Sequence, residues 1–396
     1  MELPHDLVGH ILEKLPVKSL LRFKSVSVQW KSTIESGHFK KKHLVCRQSQ
    51  DPDILLISPL EFSDLFGCQE NVTRTFTMDS SDLIRLPNLC PSPNPIHLDY
   101  YPVPLVYYYV VSWSCDGMIC YYTYLNGIYV VNPITRWFRS VPQARYQTVL
   151  LDTFKPEYQN DSGIFWKLGF GKDEFTDTYK LVWLYNSSDF GLENATTCEV
   201  FDFSTNSWRY VTAASSRILD EQIPVYLNGL LHWFTDERRI LSFDLHTETF
   251  HIISKTPLFQ EDSQFILMFT LDNQLCISQK TWPIQEIWSL NKSDKTWERK
   301  YLLNLQTDSH LFAEEKPYIL YEEGTCCAIP VMVLKNKKNK NKKKQSLVLY
   351  DARSKNPNLM VYDPESRSYD ICFSPNYEVH YLTIAVSYFP SLISIV

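Results

Sequence analysis

Glycine and long apolar runs are both scarce in this chain. Only 11 of its 396 residues are glycine, so its turns must depend on asparagine, aspartate, serine and the 22 prolines. No stretch reaches the roughly 18 apolar residues that span a bilayer, and the first residues lack the basic and then apolar order of a secretory signal. We therefore expect no membrane partner and an intracellular location, in the nucleus, the cytoplasm or both.

Catalytic motifs are missing as well. Gly169 and Gly171 are followed by Glu174, where a dinucleotide-binding loop needs its third glycine. The sequence has no Walker phosphate loop and no Gly-x-Ser-x-Gly elbow, and its ten histidines are dispersed. His232 lies in an aromatic run, where a core role is the simpler interpretation than metal ligation. We expect no catalytic residue, no metal and no cofactor.

The charge distribution argues against nucleic acid as a partner. The formal net charge is −6, although residues 1–45 and 335–344 are both basic. The rest of the chain is therefore strongly acidic and would repel a phosphate backbone. With 44% hydrophobic and 14% aromatic residues, it has the composition of a folded protein made mostly of strands.

Cysteines and tyrosine clusters are interpreted as packing residues. The ten cysteines lie mostly singly in apolar runs, and the spacing of Cys115 and Cys120 does not match a CxxC pair, which predicts reduced, buried thiols. The tyrosines near positions 107–109 and 121–124 could stack on a sugar or a peptide. Alternation of strand faces makes packing the simpler interpretation.

The first helix of the predicted structure carries an apolar stripe. Leu7, Ile11 and Leu15 recur every four residues, which places them on one helical face. Pro4 suits a helix start and Pro16 ends the pattern. Such a stripe can pack against the rest of the chain or enter the groove of a partner protein, and periodicity does not separate these alternatives.

Two further short helices are predicted after Pro16. Residues 17–24 can form the second, and Ser27 can cap a third that carries Trp30 and Ile34 on one side. Gly37 is the predicted C-cap of that third helix. A segment this short cannot build an independent core of its own.

Residues 3–30 resemble an F-box. The usual pattern is Leu-Pro, Asp-Leu, Ile-Leu, Leu-Pro, Ser-Leu, Arg, Val-Ser and Trp, and every position is filled here in order. The resemblance implies contacts with a Skp-type adaptor, and through it with a cullin. The residues to which it assigns these contacts are Leu3, Pro4, Leu7, Ile11, Leu15, Pro16, Leu20, Val26 and Trp30, with Arg22 as a polar contact at the rim.

A strand-turn-strand unit recurs through the remainder of the chain. Each copy has an apolar run, an asparagine or aspartate, a few turn residues with serine or threonine, and then an aromatic residue. The copies span residues 129–137, 200–208, 241–250, 287–297 and 361–369. The Asx side chain can bond the backbone two residues on and close a hairpin. The shorter intervals match a propeller blade of roughly 40 to 50 residues.

The second part of the chain resembles the plant F-box-associated interaction domain, a kelch-like all-β module. The matching motifs are Ser114–Met118, Val131–Thr135, Gly169–Gly171, Tyr179–Val182 and Asn228–Trp233. The kelch double glycine is absent, so an ordinary kelch repeat is not predicted. We expect a mainly β protein with a three-helix F-box at residues 1–42 and one β-propeller, with six blades, at residues 43–396.

The predicted propeller closes on itself. Strands near residues 43–58 would pair with the last strands, near residues 379–389, and so hide the sheet edges. The structural alternative is a twisted sandwich of two sheets. The lysine-rich run at residues 335–344 lies between two apolar strands and is interpreted as a solvated hairpin loop, with nuclear import or an acidic partner as alternatives.

The function predicted from these features is that of a substrate-recognition subunit of a Skp-cullin-F-box ubiquitin ligase. The F-box would bind the adaptor, and the propeller would bind an unknown target protein. Two alternatives stay open: a binding scaffold that does not promote degradation, and a propeller enzyme acting on glycans. The first needs a target that is not degraded, and the second needs carboxylates that converge on the central channel.

Overall fold

The fold is given by a computed structural model. It describes residues 4–61, 70–77, 80–85, 110–122, 127–153, 167–191, 194–219, 222–257, 265–281, 283–305, 328–336, 344–351, 358–373 and 384–395. Four helices come first along the chain, and the described strands after them form six four-stranded antiparallel sheets.

The N-terminal helices are α1 (His5–Glu13), α2 (Val17–Phe23), α3 (Val28–Glu35) and α4 (Gly37–Gln48). The first two begin directly after prolines, at Pro4 and Pro16. The other two begin after serine caps: Ser27 accepts from the Trp30 N–H at 3.1 Å and Ser36 accepts from the Phe39 N–H at 3.2 Å. Each serine satisfies a backbone donor that the helix itself leaves open.

The end of the third helix and the number of helices differ from the prediction. Gly37 is not a left-handed C-cap, because Ser36 ends α3 in an extended conformation and at the same time caps α4. A fourth helix, which the sequence did not predict, therefore follows directly and runs from Gly37 to Gln48. The buried His43 of α4 bonds the Leu15 carbonyl oxygen at 2.9 Å, so the fourth helix holds the turn between the first two.

Five sheets, numbered here as blades 1 to 5, each consist of four consecutive strands. Blade 1 is β4 (Val110–Val111), β5 (Ile119–Tyr122), β6 (Ile128–Asn132) and β7 (Trp137–Val141). Helix α5 (Arg145–Thr153) follows it. Blade 2 is β8 (Leu168–Asp173), β9 (Thr178–Asn186), β10 (Thr196–Asp202) and β11 (Ser207–Val211). Blade 3 is β12 (Val225–Leu227), β13 (Leu230–Phe234), β14 (Arg239–Asp244) and β15 (Phe250–Lys255).

The remaining sheets complete the ring. Blade 4 is β16 (Phe265–Leu271), β17 (Gln274–Thr281), β18 (Ile284–Leu290) and β19 (Trp297–Asn304). Blade 5 is β20 (Ala328–Asn336), β21 (Lys344–Asp351), β22 (Leu359–Asp363) and β23 (Ser368–Phe373). The closing sheet is β24 (Ile384–Tyr388), β1 (Asp53–Glu61), β2 (Glu70–Thr77) and β3 (Ser80–Arg85).

The closing sheet joins distant parts of the chain. Strand β1 pairs with β24 from Asp53 opposite Tyr388 to Ile57 opposite Ile384, as the sequence predicts. The mainly β fold with a helical N-terminus and a β-propeller is confirmed, and the described strands form six sheets instead of the two of a sandwich. Five blades are built from consecutive strands, one fewer than the predicted six. The sixth four-stranded sheet is the closing sheet, which combines β24 with β1, β2 and β3.

The repeated Asx residue closes the last hairpin of each of the five blades. The turn residues lie at the end of the third strand or directly after it, and each side-chain oxygen accepts from the backbone N–H two residues on: Asn132, Asp202, Asp244, Asn291 and Asp363. Asp173 makes a sixth such turn between β8 and β9. The fifth residue of every turn has a positive φ between 52° and 59°: Arg136, Asp177, Asn206, Glu248, Lys295 and Arg367. These turns therefore reach the left-handed region without glycine.

We expect Gly9→Ala to stabilise the helical subdomain. Gly9 lies in α1, and an added Cβ would meet no atom within 4 Å, so alanine should raise the free energy of unfolding by up to about 1 kcal/mol. Gly117→Ala is the contrasting variant, because Gly117 has φ +77° and its Cβ would collide with the Phe389 carbonyl oxygen. Thermal unfolding of both variants tests this, and a lower midpoint for Gly9→Ala would contradict it.

Candidate functional site

The helical subdomain has a small core of its own. Six of its buried residues come from the four helices, and one comes from the far end of the chain. They are Val8, Leu12, Val17, Leu20, Ile34, Phe39 and Leu392. Leu15, Leu21, Phe23 and Trp30 pack against this core and are partly buried. The subdomain thus completes its core with Leu392 from the propeller side.

Helix α1 has two adjacent apolar stripes with opposite environments. Val8 and Leu12 are buried in the core, at 9% and 0% exposure. Leu7 and Ile11 lie one position earlier and are each 51% exposed. One residue is about 100° of helical rotation, so the second stripe is turned away from the core. The stripe that the sequence pattern singled out is therefore the outward one at these two positions.

Other predicted contact residues are exposed as well. Val26 is 58% exposed, and Pro4, Pro16 and Arg22 are exposed. Val28, at 88%, is the most exposed of the large apolar residues in the described ranges, and it lies outside the predicted contact set. It precedes Trp30 by two residues, about 200° of rotation, so the inward position of Trp30 and Ile34 on α3 already implies that Val28 points outward.

The rest of the predicted set lies inside the subdomain. Leu20 is fully buried, so in this conformation it supports the surface from below. Leu15 and Trp30 are partly buried, and the Trp30 ring meets Phe23 edge to face at 5.5 Å between centroids. Leu3 lies outside the described residues. Trp30 thus retains some accessible surface, as an anchor residue must.

The subdomain is attached to one face of the propeller. The Lys41 ammonium pairs with the Asp177 carboxylate, and Gln48 donates to the Asp116 carboxylate at 3.3 Å. Both aspartates lie in turns between the first and second strands of a blade. Lys172 bridges these two turns, at 2.7 Å from Asp177 and 3.3 Å from Asp116. Burial opposes the charge of Lys172, but the surrounding carboxylates outweigh it and raise its pKa.

These contacts define the turn face of the propeller, which carries the turns between first and second and between third and fourth strands. Tyr179 beside the Lys172 bridge donates to Asp116 at 2.8 Å, and His246 of blade 3 lies 3.2 Å from Asp173 of blade 2. The turns of neighbouring blades therefore meet directly. The opposite face carries the other connections, including α5 (Arg145–Thr153). It has no described contact with the four N-terminal helices.

Trp113 lies where several blades meet. It follows the innermost strand of blade 1 and packs against three separate apolar clusters. These clusters belong to blades 3, 4 and 5 and to the closing sheet with blade 1. Only a side chain near the propeller axis can contact all of them, so the Trp113 ring fills part of the central channel in the described structure.

The residues considered for ligand binding are mostly packed. Tyr121 and Tyr122 are buried, whereas Tyr124 and the tyrosines at 107–109 lie outside the described residues. Six cysteines fall within the described ranges, and all are free thiols. Over the same ranges, no group of three or more His, Cys, Asp or Glu side chains could hold a metal ion.

The two strands on either side of the lysine-rich run pair as a hairpin. Strands β20 and β21 pair from Ala328 opposite Asp351 to Asn336 opposite Lys344, which confirms the two apolar strands around the run. The connecting residues 337–343 lie outside the described part of the chain.

His232 gives the protein a predictable pH dependence. It is 2% exposed, and its Nδ1 lies 2.7 Å from the Ser242 hydroxyl on the paired strand, as a core histidine would. Burial lowers its pKa to about 4. The unfolded chain, with a pKa near 6.5, binds the proton more readily, so stability is complete above that pH and is lost as the pH falls toward about 4.

Protonation of this histidine should lower the free energy of unfolding by up to about 3 kcal/mol, because each pKa unit corresponds to roughly 1.4 kcal/mol. Urea unfolding at about pH 7 and about pH 4.5 measures it. The His232→Gln variant should show a smaller loss over the same interval. An unchanged pH dependence in that variant would show that the acid sensitivity comes from other groups.

Comparison with known families decides the assignment. The F-box domain model matches residues 1–42, and the F-box associated beta propeller domain model matches residues 91–395. The second match alone covers more than half of the chain. The chain belongs to the F-box protein family.

Similar F-box proteins come from Arabidopsis thaliana. The F-box/LRR-repeat/kelch-repeat protein At1g09650 is 42% identical over 99% of this chain and 97% of its own length. The F-box protein At2g34280 is 39% identical over 99% of each chain. F-box proteins are typically non-catalytic adaptors, and the F-box indicates binding to Skp-type adaptors in general.

Among solved structures, a chain of the nidogen/laminin complex aligns over 86% of this F-box protein and 99% of its own length. The TM-score is 0.43 at 12% identity.

In the ranges that the structure describes, none of the helices combines the length and the apolar composition that a membrane span requires.

Proposed function

We propose that this F-box protein is a substrate receptor of a Skp-cullin-F-box ubiquitin ligase. Its helical subdomain binds the Skp-type adaptor, which links it to a cullin, and its propeller binds a target protein. The observation that carries the proposal is the outward stripe of Leu7 and Ile11 on a subdomain that already has a buried core. The intracellular location predicted from the sequence, in nucleus or cytoplasm, belongs to the same proposal.

Exposed aliphatic residues are concentrated in this small region. Among the described residues, eleven large apolar side chains are exposed, and four of them lie between positions 7 and 28: Leu7, Ile11, Val26 and Val28. The others are spread over α4 and the propeller. Single exposed apolar residues are ordinary, but such a concentration on a few short helices is typical of a protein interface.

The adaptor contact also has a polar component. Arg22 is exposed on the short α2, so it suits the polar rim of an interface. Leu20, Leu15 and Trp30 support the exposed residues from below, and Trp30 adds its accessible edge. An alanine at Trp30 would therefore affect both the subdomain and the interface, so the exposed pair on α1 is the cleaner probe.

Catalysis of ubiquitin transfer is not required of this chain. A receptor holds the target near the charged ubiquitin carrier, so that target lysines are present at high effective concentration. The helices occupy part of the turn face, so the opposite face and the uncovered turns are available for a target. Loops on such a scaffold are where binding residues usually lie.

The test compares the intact protein with a Leu7→Ala, Ile11→Ala double variant in cells. Proximity labelling with both chains identifies proteins that the propeller holds in each case. A degradation target should be labelled by both chains and should accumulate with the double variant, and the adaptor should be labelled by the intact chain alone. Equal adaptor capture by both chains would refute the interface, and unchanged partner levels would favour the non-degradative scaffold.

A further inference from the structure

The segment after the last strand lies between the propeller and the helical subdomain. The Ser391 hydroxyl donates to the Asp116 carbonyl oxygen at 2.6 Å, and the next residue, Leu392, is 3% exposed in the helical core. Ile393 and Ile395 pack on the other side, against the core shared by blades 1 and 2. Residues 389–395, called here the strap, therefore contact both parts of the protein.

Asn132 holds the strap in place. Its amide group donates to the Ser391 carbonyl oxygen at 3.0 Å and to the Ile393 carbonyl oxygen at 2.9 Å. The side-chain Oδ1 of Asn132 accepts from the Ile134 and Thr135 N–H groups of its own turn. The side chain is fully buried, so these bonds are shielded from water. One amide thus closes its turn with one end and binds the strap with the other.

The other turns show that this second role is particular to blade 1. Asp173, Asp202, Asp244 and Asp363 occupy the same turn position, where a carboxylate can only accept hydrogen bonds. Asn291 of blade 4 is the other asparagine at this turn position. Its side-chain Oδ1 accepts from the Ser293 N–H of its own turn. Turn closure alone therefore does not require an amide at position 132.

The Asn132 turn also contacts the helices directly. Ile134, two residues after Asn132, is partly buried against the helical core that contains Leu392. The strap and the turn that binds it are thus adjacent parts of one junction. The Lys41 pair with Asp177 and the Gln48 contact with Asp116 lie at this same junction.

We propose that Asn132 and the strap lock the helical subdomain in one orientation on the turn face, so that the protein is a rigid connector between adaptor and target. The benefit of this rigidity for ubiquitin transfer rests on the proposed function. The locking of the helices by Asn132 and the strap does not depend on it. Removal of the amide donors leaves both parts folded but lets the helices move away from the propeller. Effective concentration depends on such geometry, because it falls when the reacting groups are free to separate.

The experiment uses the Asn132→Asp variant of the full chain. Aspartate keeps the acceptor that closes the turn, removes both donors and places a carboxyl group against two carbonyl oxygens. Carbodiimide couples a lysine only to a carboxylate in contact with it, so the Lys41 to Asp177 crosslink reports docking of the helices. The Lys42 to Glu13 pair, 2.7 Å apart within the helical subdomain, is the internal control. Asn291→Asp is the matched control variant.

We expect Asn132→Asp to lose the Lys41 to Asp177 crosslink while it keeps the Lys42 to Glu13 crosslink and adaptor binding. Asn291→Asp should keep both crosslinks. A wild-type yield of the Lys41 to Asp177 product in Asn132→Asp would overturn the proposal. If that variant does not fold, Leu392→Ala decides by the same crosslinks, with the same expected loss. Failure of the wild-type chain to bind the adaptor would refute the proposed function and leave the crosslink result intact.

Discussion

Replacement of both Leu7 and Ile11 by alanine is expected to abolish adaptor binding without unfolding the protein. Both side chains are about half exposed, so their truncation leaves the core of Val8 and Leu12 intact. Alanine also favours the helix more than any other residue. Anchor residues at interfaces commonly contribute 2 kcal/mol or more each, so the loss in affinity should be at least about 30-fold per position.

Val45→Ala is the matched control for this pair. Val45 is 67% exposed on α4 of the same subdomain and lies outside the F-box pattern. Calorimetric titration of a purified Skp-type adaptor into the three proteins measures the difference. Equal affinities for wild type, control and double variant would show that the adaptor binds elsewhere.

The second large effect is expected for Trp113→Ala, which should lower the free energy of unfolding by about 3 kcal/mol or more. Trp113 packs against three clusters that together involve blade 1, blades 3 to 5 and the closing sheet. Loss of its ring leaves a cavity beside the axis that no single blade can fill, because each blade is held by its own strand pairing. The cost is then the lost burial together with the cavity.

An exposed aromatic residue on the outer edge provides the comparison for Trp113. Phe138 is 49% exposed on the outermost strand of blade 1, and Phe138→Ala should change stability by less than about 1 kcal/mol. Thermal or urea unfolding of the two variants separates the effects. A similar small loss for both would show that Trp113 does not connect the blades.

The sequence was most informative where a local rule has one structural solution. An Asx residue followed by serine or threonine predicts a closed turn, and one such turn is present at the third hairpin of every blade. Closure of the propeller followed from the need to hide sheet edges, and β1 and β24 pair as expected. The F-box pattern also lies in the region that exposes Leu7, Ile11, Val26 and Val28.

Features that depend on distant contacts could not be predicted in this way. The stripe of Leu7 and Ile11 and the stripe of Val8 and Leu12 are both apolar, and the packing of the other three helices and Leu392 against α1 determines which one is buried. Gly37 follows a serine that ends one helix and begins the next, a double role that a C-cap rule does not anticipate. The strap contact of Asn132 joins residues about 260 positions apart, and no local pattern marks it.

The most direct test of the central claim maps the adaptor contact on the intact protein. Amide hydrogen exchange of the full chain, with and without a purified Skp-type adaptor, reports which backbone groups become protected. The account predicts a stable complex with new protection in α1 and in residues 24–28, and unchanged exchange on the face of the propeller opposite the helices. Absence of a complex, or protection confined to the propeller, would contradict it.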